Sequence, residues 1–474
     1  MESLPLDSLY VDGRWTRPAA AETVAVENPA TEEIVGRIAA GDARDVRRAV
    51  DAARTAFPAW SATEAPVRAG HLSALRDLLV ENQAEMAGLI TREMGSPLSF
   101  SRRVQVGLPV KVLEAYAAEA AASGEERIGH SLVVREAAGV VAAITPWNYP
   151  LHQAVAKVGA ALAAGCTIVL KPSELAPLSA CFLTTLIDAL GLPPGVFNLV
   201  PGRGTDAGRA LAADPGVDVV SFTGSLAAGR EVGSAAALGV KKVCLELGGK
   251  SATVVLPDAD LETAVTDATH GALHNAGQTC SARSRLLVPR ARLDEALELV
   301  RSVLAAYVPG DPMDPACRLG PLVSRGQRDR VLGYLDAARR SGARQVAGPP
   351  WDRVPARGHY VTPSVWTQVP PDSPLAQEEI FGPVLTVLPF DDDADAVAQA
   401  NATRYGLAAT VWSADTARAT AVARRLRAGQ VDINDAAFNP AAPFGGYRQS
   451  GVGRELGRHG IQEFQELKSL QLPS

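Results

Sequence analysis

The chain has 474 residues, a length that at ~150 residues per domain predicts about three domains. Hydrophobic residues make up 47% of it and charged residues 21%, which excludes global disorder and collagen-like order. The 46 Lys and Arg residues against 52 Asp and Glu give a net charge of −6, too mild to indicate nucleic acid or a membrane surface as a partner. Five cysteines do not suggest a disulfide framework, so a reducing cytoplasm is the expected location.

The N-terminal part of the chain predicts helices followed by a short strand. No basic segment with a following apolar run stands at the N-terminus, so no signal peptide is predicted. Apolar residues three and four apart predict helices over 43–57, 67–94 and 107–122. Weak alternation over 131–136 predicts a half-exposed strand. The most apolar stretch, 154–170, is shorter than the ~20 residues of a membrane span and fits a buried helix that runs into a buried strand.

From residue 139 the pattern changes to alternating strands and helices. Strands are predicted at 140–144, 167–170, 196–200, 217–222 and 242–245, with helices between them at 151–164, 177–190, 205–213 and 226–237. This alternation predicts parallel βαβ units with a nucleotide site at the carboxyl ends of the strands. A second α/β region follows, with strands at 252–256, 285–288, 384–390, 408–412 and 430–432 and helices at 261–272, 293–306, 327–340 and 396–402. The proline-rich stretch 348–376 is expected to be a surface connection, and the acidic run 391–395 a solvated helix cap.

Cys280 is the candidate nucleophile. It follows Gly277 and polar residues after a predicted helix, a setting in which backbone N–H groups can stabilise a thiolate. Glu246 ends a predicted buried strand, where a carboxylate is costly unless it is paired or used, and a structural salt bridge is the alternative reading. A thiol nucleophile with a separate carboxylate base suits acyl transfer to sulfur followed by hydrolysis. The other cysteines stand in apolar or loop contexts typical of small buried hydrophobes: Cys166, Cys181, Cys244 and Cys317.

Two glycine-containing segments compete as the phosphate site of a dinucleotide. In 202–208 the glycine spacing is one residue too long for the dinucleotide fingerprint, whereas 222–229 follows a strand and opens a helix. Neither pattern is decisive alone. Lys171 and Glu174 end another strand, from which both can reach a ribose.

A histidine pair raises the alternative of a metal site. His270 and His274 lie four residues apart on a predicted helix, as metal ligands can. Gly271, however, occupies the place where a zinc protease carries its glutamate, and no third ligand is evident. No metal site is therefore predicted.

Seven motifs occur together in one order, and that combination is highly specific. They are Ile144-Thr-Pro-Trp-Asn-Tyr-Pro150, Lys171-Pro-Ser-Glu174, Phe222-Thr-Gly-Ser225, Leu245-Glu-Leu-Gly-Gly-Lys250, Gly277-Gln-Thr-Cys280, Glu378-Glu-Ile-Phe-Gly-Pro383 and Pro443-Phe-Gly-Gly446. Through them the chain resembles the NAD(P)-dependent aldehyde dehydrogenase superfamily over nearly its whole length. The resemblance implies an α/β fold with a Rossmann-type cofactor domain, an α/β catalytic domain and a small β oligomerisation element.

The resemblance also implies a domain division and an assembly. The dinucleotide-binding domain would take residues 1–122 and 139–246, and the catalytic domain 247–445. The oligomerisation element and C-terminal tail would take 123–138 and 446–474. The implied partners are a small aldehyde substrate and further copies of the chain in a homodimer or homotetramer.

The family's catalytic roles carry over onto matching positions. Cys280 would be the nucleophile and Glu246 the general base that hydrolyses the thioester. Asn148 would donate its side-chain amide to the oxyanion, beside the backbone N–H of Cys280. Lys157 would assist proton transfer.

The implied cofactor site draws on several motifs. Its residues are Ile144, Trp147, Lys171, Glu174, Gly204, Phe222, Gly224, Ser225, Leu247, Glu379 and Phe381. Among them Lys171 and Glu174 would hold the adenine-side ribose, Ser225 would meet the pyrophosphate, and Glu379 would hold the nicotinamide ribose with Phe381 nearby. Because the Glu174 carboxylate would accept from two hydroxyls and repel a 2′-phosphate, NAD is the expected cofactor. The nearby Lys171 leaves use of NADP open.

Two alternatives to hydrolytic aldehyde oxidation are a CoA-acylating dehydrogenase and a non-catalytic protein on the same fold. Relatives that use CoA lack the glutamate at the position of Glu246, and a non-catalytic protein has no need of the combined catalytic set. The substrate is expected to be an uncharged aldehyde, because the loop 435–444 is small and apolar and carries no arginine. Asp432 and Arg283 depart from the family's pattern, and Arg283 is the main argument for a charged substrate.

Overall fold

The computed structural model describes residues 4–121, 125–348 and 355–473, and two large sheets organise them. The first has eight strands, in the spatial order Gly451–Val452, Lys242–Glu246, Val219–Thr223, Val140–Ile144, Thr167–Lys171, Phe197–Leu199, Leu9–Val11 and Arg14–Thr16. Its five central strands are parallel, and antiparallel strands close both edges. The central strands are largely buried apolar runs, as expected of a parallel sheet covered on both faces.

The second sheet has seven strands, all parallel to their neighbours except the first pair. Their spatial order is Arg344–Ala347, Ser364–Thr367, Val384–Phe390, Arg285–Pro289, Ala252–Val255, Ala408–Trp412 and Gln430–Ile433. It packs with its own helices around a separate apolar core. The two sheets thus form two α/β units, joined where the strand Lys242–Glu246 leads into Ala252–Val255.

Two smaller sheets complete the strands. Thr23–Asn28 and Glu33–Ala39 form an antiparallel hairpin. The C-terminal strand Gln465–Gln471 pairs antiparallel with Ser131–Ala137, which also pairs with Glu126–Ile128. This three-stranded sheet joins the C-terminal strand to the segment that precedes the strand Val140–Ile144.

The helices cover the sheet faces. The α-helices are Ala43–Ser61, Ala65–Glu81, Gln83–Met94, Leu98–Phe100, Gly107–Ala121, Pro150–Ala164, Leu178–Ala189, Arg209–Ala213, Leu226–Leu238, Leu261–Leu273, Leu293–Leu304, Arg325–Arg340, Pro374–Gln377, Asp393–Ala400, Thr416–Ala423 and Gly457–Gln462. Ser101–Val106 and Gly204–Gly208 are π-helical, and His274–Gly277, Arg290–Arg292 and Arg448–Ser450 are 3₁₀ turns. Every residue of Pro150–Ala164 is buried, and Pro150 at its first turn suits a helix start. Within the described ranges, no helix combines the length and apolarity needed to cross a bilayer.

The strand register sets the position of the site. Ile144 pairs with Lys171 on one side and with Phe222 on the other, and Thr223 pairs with Glu246. Because these strands are parallel, their carboxyl ends meet along one edge of the sheet, where open α/β sheets bind their ligands.

The predicted α/β alternation is confirmed, with local corrections. The helix predicted over 67–94 is two helices, because the chain leaves helical geometry at Asn82, whose side-chain amide donates to the Leu78 carbonyl. The stretch 348–376 is not merely a connection, since it contains a buried strand, Ser364–Thr367; the part of this prediction that falls on 349–354 lies outside the described residues. In the acidic run, the Asp392 carboxylate accepts the Asp395 N–H and caps a helix, as predicted.

Candidate active site

A cavity of about 600 Å³ lies at the carboxyl ends of the first sheet, against the second unit. Residues from five of the seven motifs line it. Eight of these residues were predicted for the site, namely Trp147, Asn148, Gly224, Ser225, Leu247, Cys280, Glu379 and Phe381, and three were not: Pro146, Thr223 and Gly248. Gln327 and Arg330 line it as well. The fold therefore brings together, in one cavity, the candidate nucleophile, the candidate oxyanion donor and several candidate cofactor residues.

Hydrogen bonds fix the loop that carries Cys280. Asn275 and Ala276 both have left-handed backbone, with φ of 54° and 57°, and Gly277 follows at 73°. A Cβ on Gly277 would lie 2.0 Å from the Gly382 carbonyl oxygen, so only glycine fits this close approach. Three consecutive left-handed residues are costly, and such strain is retained where surrounding contacts over-determine the backbone.

Those contacts come from buried amide side chains. The Asn275 Nδ2 donates to the Asn148 carbonyl oxygen at 3.0 Å, and Gln105 Nε2 donates to the same oxygen at 2.9 Å. The Gln278 side chain accepts the Val323 N–H at 2.9 Å and donates to the Asn275 carbonyl at 3.1 Å. The loop and the segment around Asn148 are thereby held as one unit.

Asn148 is oriented by the same network. Its Nδ2 donates to the Gln278 carbonyl oxygen at 3.0 Å. A side-chain amide has two N–H groups, so one remains for an oxygen in the cavity. This arrangement suits a preorganised donor beside Cys280.

The Cys280 thiol is not stabilised as a thiolate in this structure. Burial raises its pKa to about 12, and the negative charges of Glu379 and Glu246 add to the shift. The N–H of Ser281 acts in the opposite direction but is outweighed. The Ser281 N–H thus acts in the direction expected of a backbone donor, while desolvation and the two carboxylates raise the pKa by more.

Glu246 lies behind the cavity and does not line it. Its side chain is buried, and neither carboxylate oxygen has a hydrogen-bond partner among the described residues. Burial raises its pKa well above the usual value, Glu455 raises it further, and Lys157 opposes the shift. Among the described residues, none forms a salt bridge with Glu246, so the alternative of a structural salt bridge is not supported.

The buried ion pair beside Glu246 involves Lys157 instead. The Lys157 ammonium donates to the Glu455 carboxylate, with which it forms an ion pair, and to Thr223 Oγ1 at 2.8 Å. Thr223 in turn donates to Gln153 Oε1 at 3.0 Å. Lys157 is thus placed next to Glu246 through a polar network and does not line the cavity with Cys280.

Glu379 also lines the cavity. Its Oε1 accepts the Gly249 N–H at 3.2 Å, and burial raises its pKa to about 7. A Cβ on Gly248 would lie 2.0 Å from Glu379 Oε2, so the glycine pair lets this carboxylate approach the backbone. The Trp147 and Phe381 rings meet edge to face beside it, with centroids 5.3 Å apart.

The remaining candidate cofactor residues extend along the sheet edge. Lys171 Nζ lies 3.0 Å from Glu174 Oε2, and Glu174 Oε1 accepts the Gly204 N–H at 3.2 Å. Ser225 caps the helix Leu226–Leu238 by accepting the Ala228 N–H at 3.3 Å. Ile144 and Phe222 are buried strand-end residues that form the floor of this edge.

Sequence reasoning missed the residues that support the site. They are Gln105, Gln153, Thr223, Asn275, Gln278, Gln327, Arg330 and Glu455. Gln105 and Glu455 lie outside the seven motifs, so no local pattern marks them. Asn275 and Gln278 lie beside Cys280, and as buried amides in a glycine-containing turn they could have been singled out.

Arg283 and Asp432, the two residues that depart from the family's pattern, lie close to each other. Arg283 NH2 lies 3.2 Å from the Asp267 carboxylate and NH1 lies 3.4 Å from that of Asp432. His270 Nδ1 hydrogen-bonds with the Tyr307 hydroxyl at 2.6 Å. Within the described ranges, no group of three or more His, Cys, Asp or Glu side chains is arranged to hold a metal ion.

Comparisons with known proteins agree with this arrangement. Residues 15–470 match the aldehyde dehydrogenase family. The 3-succinoylsemialdehyde-pyridine dehydrogenase of Pseudomonas sp is 46% identical over 97% of this chain and 97% of its own. A mutant of aldehyde dehydrogenase C from Pseudomonas syringae, solved with NAD+ and octanal, superposes with a TM-score of 0.96 at 45% identity and covers 98% of this chain and 97% of its own. The NAD+ complex of an aldehyde dehydrogenase from Bacillus cereus gives 0.95 at 38% identity, covering 98% and 96%. The chain belongs to the aldehyde dehydrogenase family, and it has the α/β fold of that family.

Proposed function

We propose that the protein oxidises an aldehyde to a carboxylic acid with NAD, through a thiohemiacetal and then a thioester on Cys280 that is hydrolysed by water activated by Glu246. The observation that carries the proposal is the cavity of about 600 Å³ in which Cys280, Asn148 and Glu379 face one space. A nucleophile, a hydrogen-bond donor and a ribose-binding carboxylate in one cavity suit this chemistry better than simple binding.

The first step needs a proton acceptor. With the pKa of Cys280 raised to about 12 by burial and by two carboxylates, the thiol is protonated at neutral pH. Attack on the carbonyl carbon therefore requires that the thiol proton passes to solvent water as the carbon–sulfur bond forms and the π bond of the carbonyl breaks. The negative oxygen that results receives the free N–H of Asn148, and loss of such a donor costs ~10²–10³ in rate in other enzymes.

The residues of the cavity fit a bound NAD. Glu379, held by the Gly249 N–H, offers carboxylate oxygens to ribose hydroxyls, and Trp147 and Phe381 provide apolar faces. The start of the helix Leu226–Leu238 supplies backbone N–H groups suited to a pyrophosphate. When bound, NAD supplies the acceptor for the hydride.

NAD is the proposed cofactor in preference to NADP. Structural neighbours were solved with NAD+, and Glu174 places a carboxylate on the cofactor edge that would repel a 2′-phosphate. Lys171 is already engaged by Glu174, at 3.0 Å, which reduces its ability to offset that repulsion. The contact between Lys171 and Glu174 therefore supports a preference for NAD over NADP that the sequence alone left open.

Hydrolysis of the thioester is assigned to Glu246. A carboxyl group with a raised pKa is a stronger base once ionised, as a general base near neutral pH requires. The proton that it takes from water has an outlet in the buried Lys157 and Glu455 pair. We regard Glu246 as the feature that favours hydrolysis over transfer to CoA.

The proposed substrate is an uncharged aldehyde. Arg283 is occupied by Asp267 and Asp432, so it is not free to bind a carboxylate of a substrate. The similar proteins named above point the same way, since one is named for a pyridine semialdehyde and another was solved with octanal.

The predicted domain division and self-assembly are retained as part of the proposal. The two large sheets support a cofactor unit of 1–122 with 139–246 and a catalytic unit of 247–445. The three-stranded sheet supports a separate element of 123–138 with 446–474, and it leaves Ile128 and Leu467 more than half exposed. Apolar side chains exposed on such a sheet suit contact with a second copy, in a homodimer or homotetramer.

The experiment is a spectrophotometric assay of the purified protein. We expect NADH to form from hexanal and NAD without CoA, together with a carboxylic acid. Cys280→Ala is expected to abolish the reaction, and Cys317→Ala, in a loop away from the cavity, serves as the matched control. An absolute requirement for CoA, or full activity in Cys280→Ala, would refute the proposal.

A further inference from the structure

The Tyr116 hydroxyl hydrogen-bonds to the backbone beside both members of the buried ion pair of Lys157 and Glu455. It donates to the Ala156 carbonyl oxygen at 2.9 Å, and it accepts the Leu456 N–H at 3.3 Å. Ala156 comes directly before Lys157 in the chain, and Leu456 comes directly after the partner carboxylate. One buried hydroxyl thus bridges the two chain segments that carry the ion pair, which are 298 positions apart.

The fold makes room for this hydroxyl and its ring. Tyr116 lies on the helix Gly107–Ala121 and is fully buried. A Cβ on Gly159 would lie 2.8 Å from ring atom Cδ2, and a Cβ on Gly460 would lie 3.2 Å from the hydroxyl oxygen. Gly159 belongs to the same helix as Lys157. The two glycines therefore let the ring approach both segments closely.

Leu456 has a backbone conformation that depends on such support. Its φ of 70° and ψ of 156° lie in a region that residues other than glycine rarely adopt. Strain of this kind persists where surrounding contacts over-determine the backbone. Phe444 exchanges two backbone hydrogen bonds with Glu455, at 2.7 and 2.8 Å, and the Tyr116 hydroxyl holds the next residue. The position of Glu455 thus depends on a strained turn that Tyr116 stabilises.

The ionisable groups that face Glu246 lie on a helix, on its own strand, on the nucleophile loop and on the C-terminal segment. They are Lys157, Cys244, Cys280, Arg454, Glu455 and Glu463. Burial is the main cause of the raised pKa of Glu246. Among the charges, that of Glu455 has the largest effect and raises the pKa further, whereas that of Lys157 lowers it. The place of Glu455 therefore affects the ionisation of Glu246 more than that of any other of these charges.

We propose that Tyr116 is a positioning residue for hydrolysis, because its hydroxyl holds Glu455 against Lys157 and so fixes the electrostatic surroundings of Glu246. The inference rests on the proposed function and adds a residue to its last step. Tyr116 does not line the cofactor cavity, so it acts through the ion pair and does not touch the reacting atoms. Burial and the charge of Glu455 raise the pKa of Tyr116, and its hydroxyl stays protonated at neutral pH.

Tyr116→Phe keeps the ring and removes both hydrogen bonds of the hydroxyl. Without its bond to Tyr116, Leu456 relaxes and Glu455 moves away from Lys157. The charge of Glu455 then raises the pKa of Glu246 less, whereas Lys157 stays on its helix and still lowers that pKa. We expect the midpoint of the rise in hydrolysis rate with pH to move to lower pH by about half a unit, in the same direction as in Glu455→Gln but by less.

The hydrolysis rate is measured on the acyl adduct itself. A single turnover of hexanal with NAD loads Cys280, and the decay of the adduct is followed by rapid quenching and mass spectrometry across pH 5–10, in steps of about 0.25 unit. A loss of stability alone lowers the amount of folded enzyme and leaves the midpoint in place. The midpoint therefore separates positioning from a merely structural role.

A second variant and a matched control accompany Tyr116→Phe. Gly460→Ala places a Cβ 2.9 Å from the Glu455 carbonyl carbon and 3.2 Å from the Tyr116 hydroxyl, and it should move the midpoint in the same direction. Tyr10→Phe also removes a hydroxyl hydrogen bond, to the Asp188 carboxylate at 2.7 Å, between a strand and a helix that carry none of the groups facing Glu246. This control should leave the midpoint unchanged.

A double variant shows whether Tyr116 acts through Glu455. Tyr116→Phe with Glu455→Gln should have the midpoint of Glu455→Gln alone, because no charge is left for the hydroxyl to position. An unchanged midpoint in Tyr116→Phe, or a further shift in the double variant, overturns the inference. If Tyr116→Phe does not fold, an unchanged midpoint in Gly460→Ala overturns it. Absence of an acyl adduct on wild-type Cys280 overturns the proposed function instead.

Discussion

The buried ion pair of Lys157 and Glu455 predicts that loss of either charge lowers the stability of the protein. The Lys157 side chain is 0% exposed and that of Glu455 is 4% exposed, so removal of one leaves an uncompensated charge in the interior. Breaking such a pair typically costs about 3–5 kcal/mol of unfolding free energy, whereas replacing both charges with apolar groups is often neutral. We therefore expect Lys157→Met and Glu455→Gln each to destabilise the protein, and the double variant Lys157→Met with Glu455→Met to recover most of the loss.

The same two substitutions should move the pH profile of activity in opposite directions. The charge of Glu455 raises the pKa of Glu246 and that of Lys157 lowers it. Removal of the Glu455 charge lowers the Glu246 pKa, so the hydrolytic step reaches its plateau at lower pH. Removal of the Lys157 charge raises that pKa and shifts the rise of kcat to higher pH.

The two effects are coupled in Glu455→Gln. When Glu455 loses its charge, an ionised Glu246 can take over compensation of the Lys157 ammonium. The cost in Glu455→Gln should therefore lie toward the lower end of the range of about 3–5 kcal/mol. Lys157→Met leaves two buried carboxylates without a cation and should lie toward the upper end.

The assay is urea unfolding at a fixed protein concentration, followed by kcat for hexanal across pH 5–10 in about half-unit steps. Shifts of the pH profile in the same direction in Lys157→Met and Glu455→Gln would refute the electrostatic reasoning, because the first variant loses a positive charge and the second a negative one. Unfolding free energies equal to that of the wild type in both single variants would refute the assignment of a buried, mutually compensating pair.

Three further substitutions test the site. Glu246→Gln should give a burst of NADH equal to the enzyme concentration and then stall, with an acyl adduct on Cys280 detected by mass spectrometry; a normal steady-state rate would contradict the assignment. Gly248→Ala should raise the KM for NAD at least tenfold, because its Cβ would lie 2.0 Å from Glu379 Oε2, and an unchanged KM would show that this approach is unimportant. Glu174→Gln should bring kcat/KM for NADP closer to that for NAD, and a wild-type preference of a decade for NADP would make the cofactor proposal wrong.

Much of the fold was predictable because its strands are buried and parallel. Continuous apolar runs such as 140–144 and 167–170 mark strands covered on both faces, and the helices between them show clear periodicity. The short strands near the N-terminus were missed, because Leu9–Val11 and Arg14–Thr16 form a hairpin too short to show alternation. The strand Ser364–Thr367 was missed because flanking prolines dominate its surroundings.

Residues of the candidate site were predictable where a chemically reactive or polar side chain belongs to a motif. Residues that contact the site from a distant part of the sequence were not predictable. Cys280, Asn148 and Glu379 were named from the sequence, and the fold places them around one cavity. Glu455 was not named, because its role beside Lys157 depends on a contact between residues 298 positions apart. Tertiary packing likewise determines whether a strand-end carboxylate such as Glu246 has a partner, so the sequence does not show it.

The geometry of the site and its ionisation are set by different parts of the structure. The position of Cys280 is fixed by neutral amide hydrogen bonds through Asn275 and Gln278, so it does not depend on protonation of an acid in the site. Ionisation is governed instead by three acidic groups in a shared low-dielectric space, each of which has a raised pKa: Cys280, Glu246 and Glu379. Burial is the main cause of the raised pKa of Cys280, the charges of Glu379 and Glu246 add to it, and a thiol is both less nucleophilic and less readily oxidised than a thiolate. The hydrogen-bonded loop therefore sets where the nucleophile lies, whereas burial and the neighbouring carboxylates set how readily its thiol ionises.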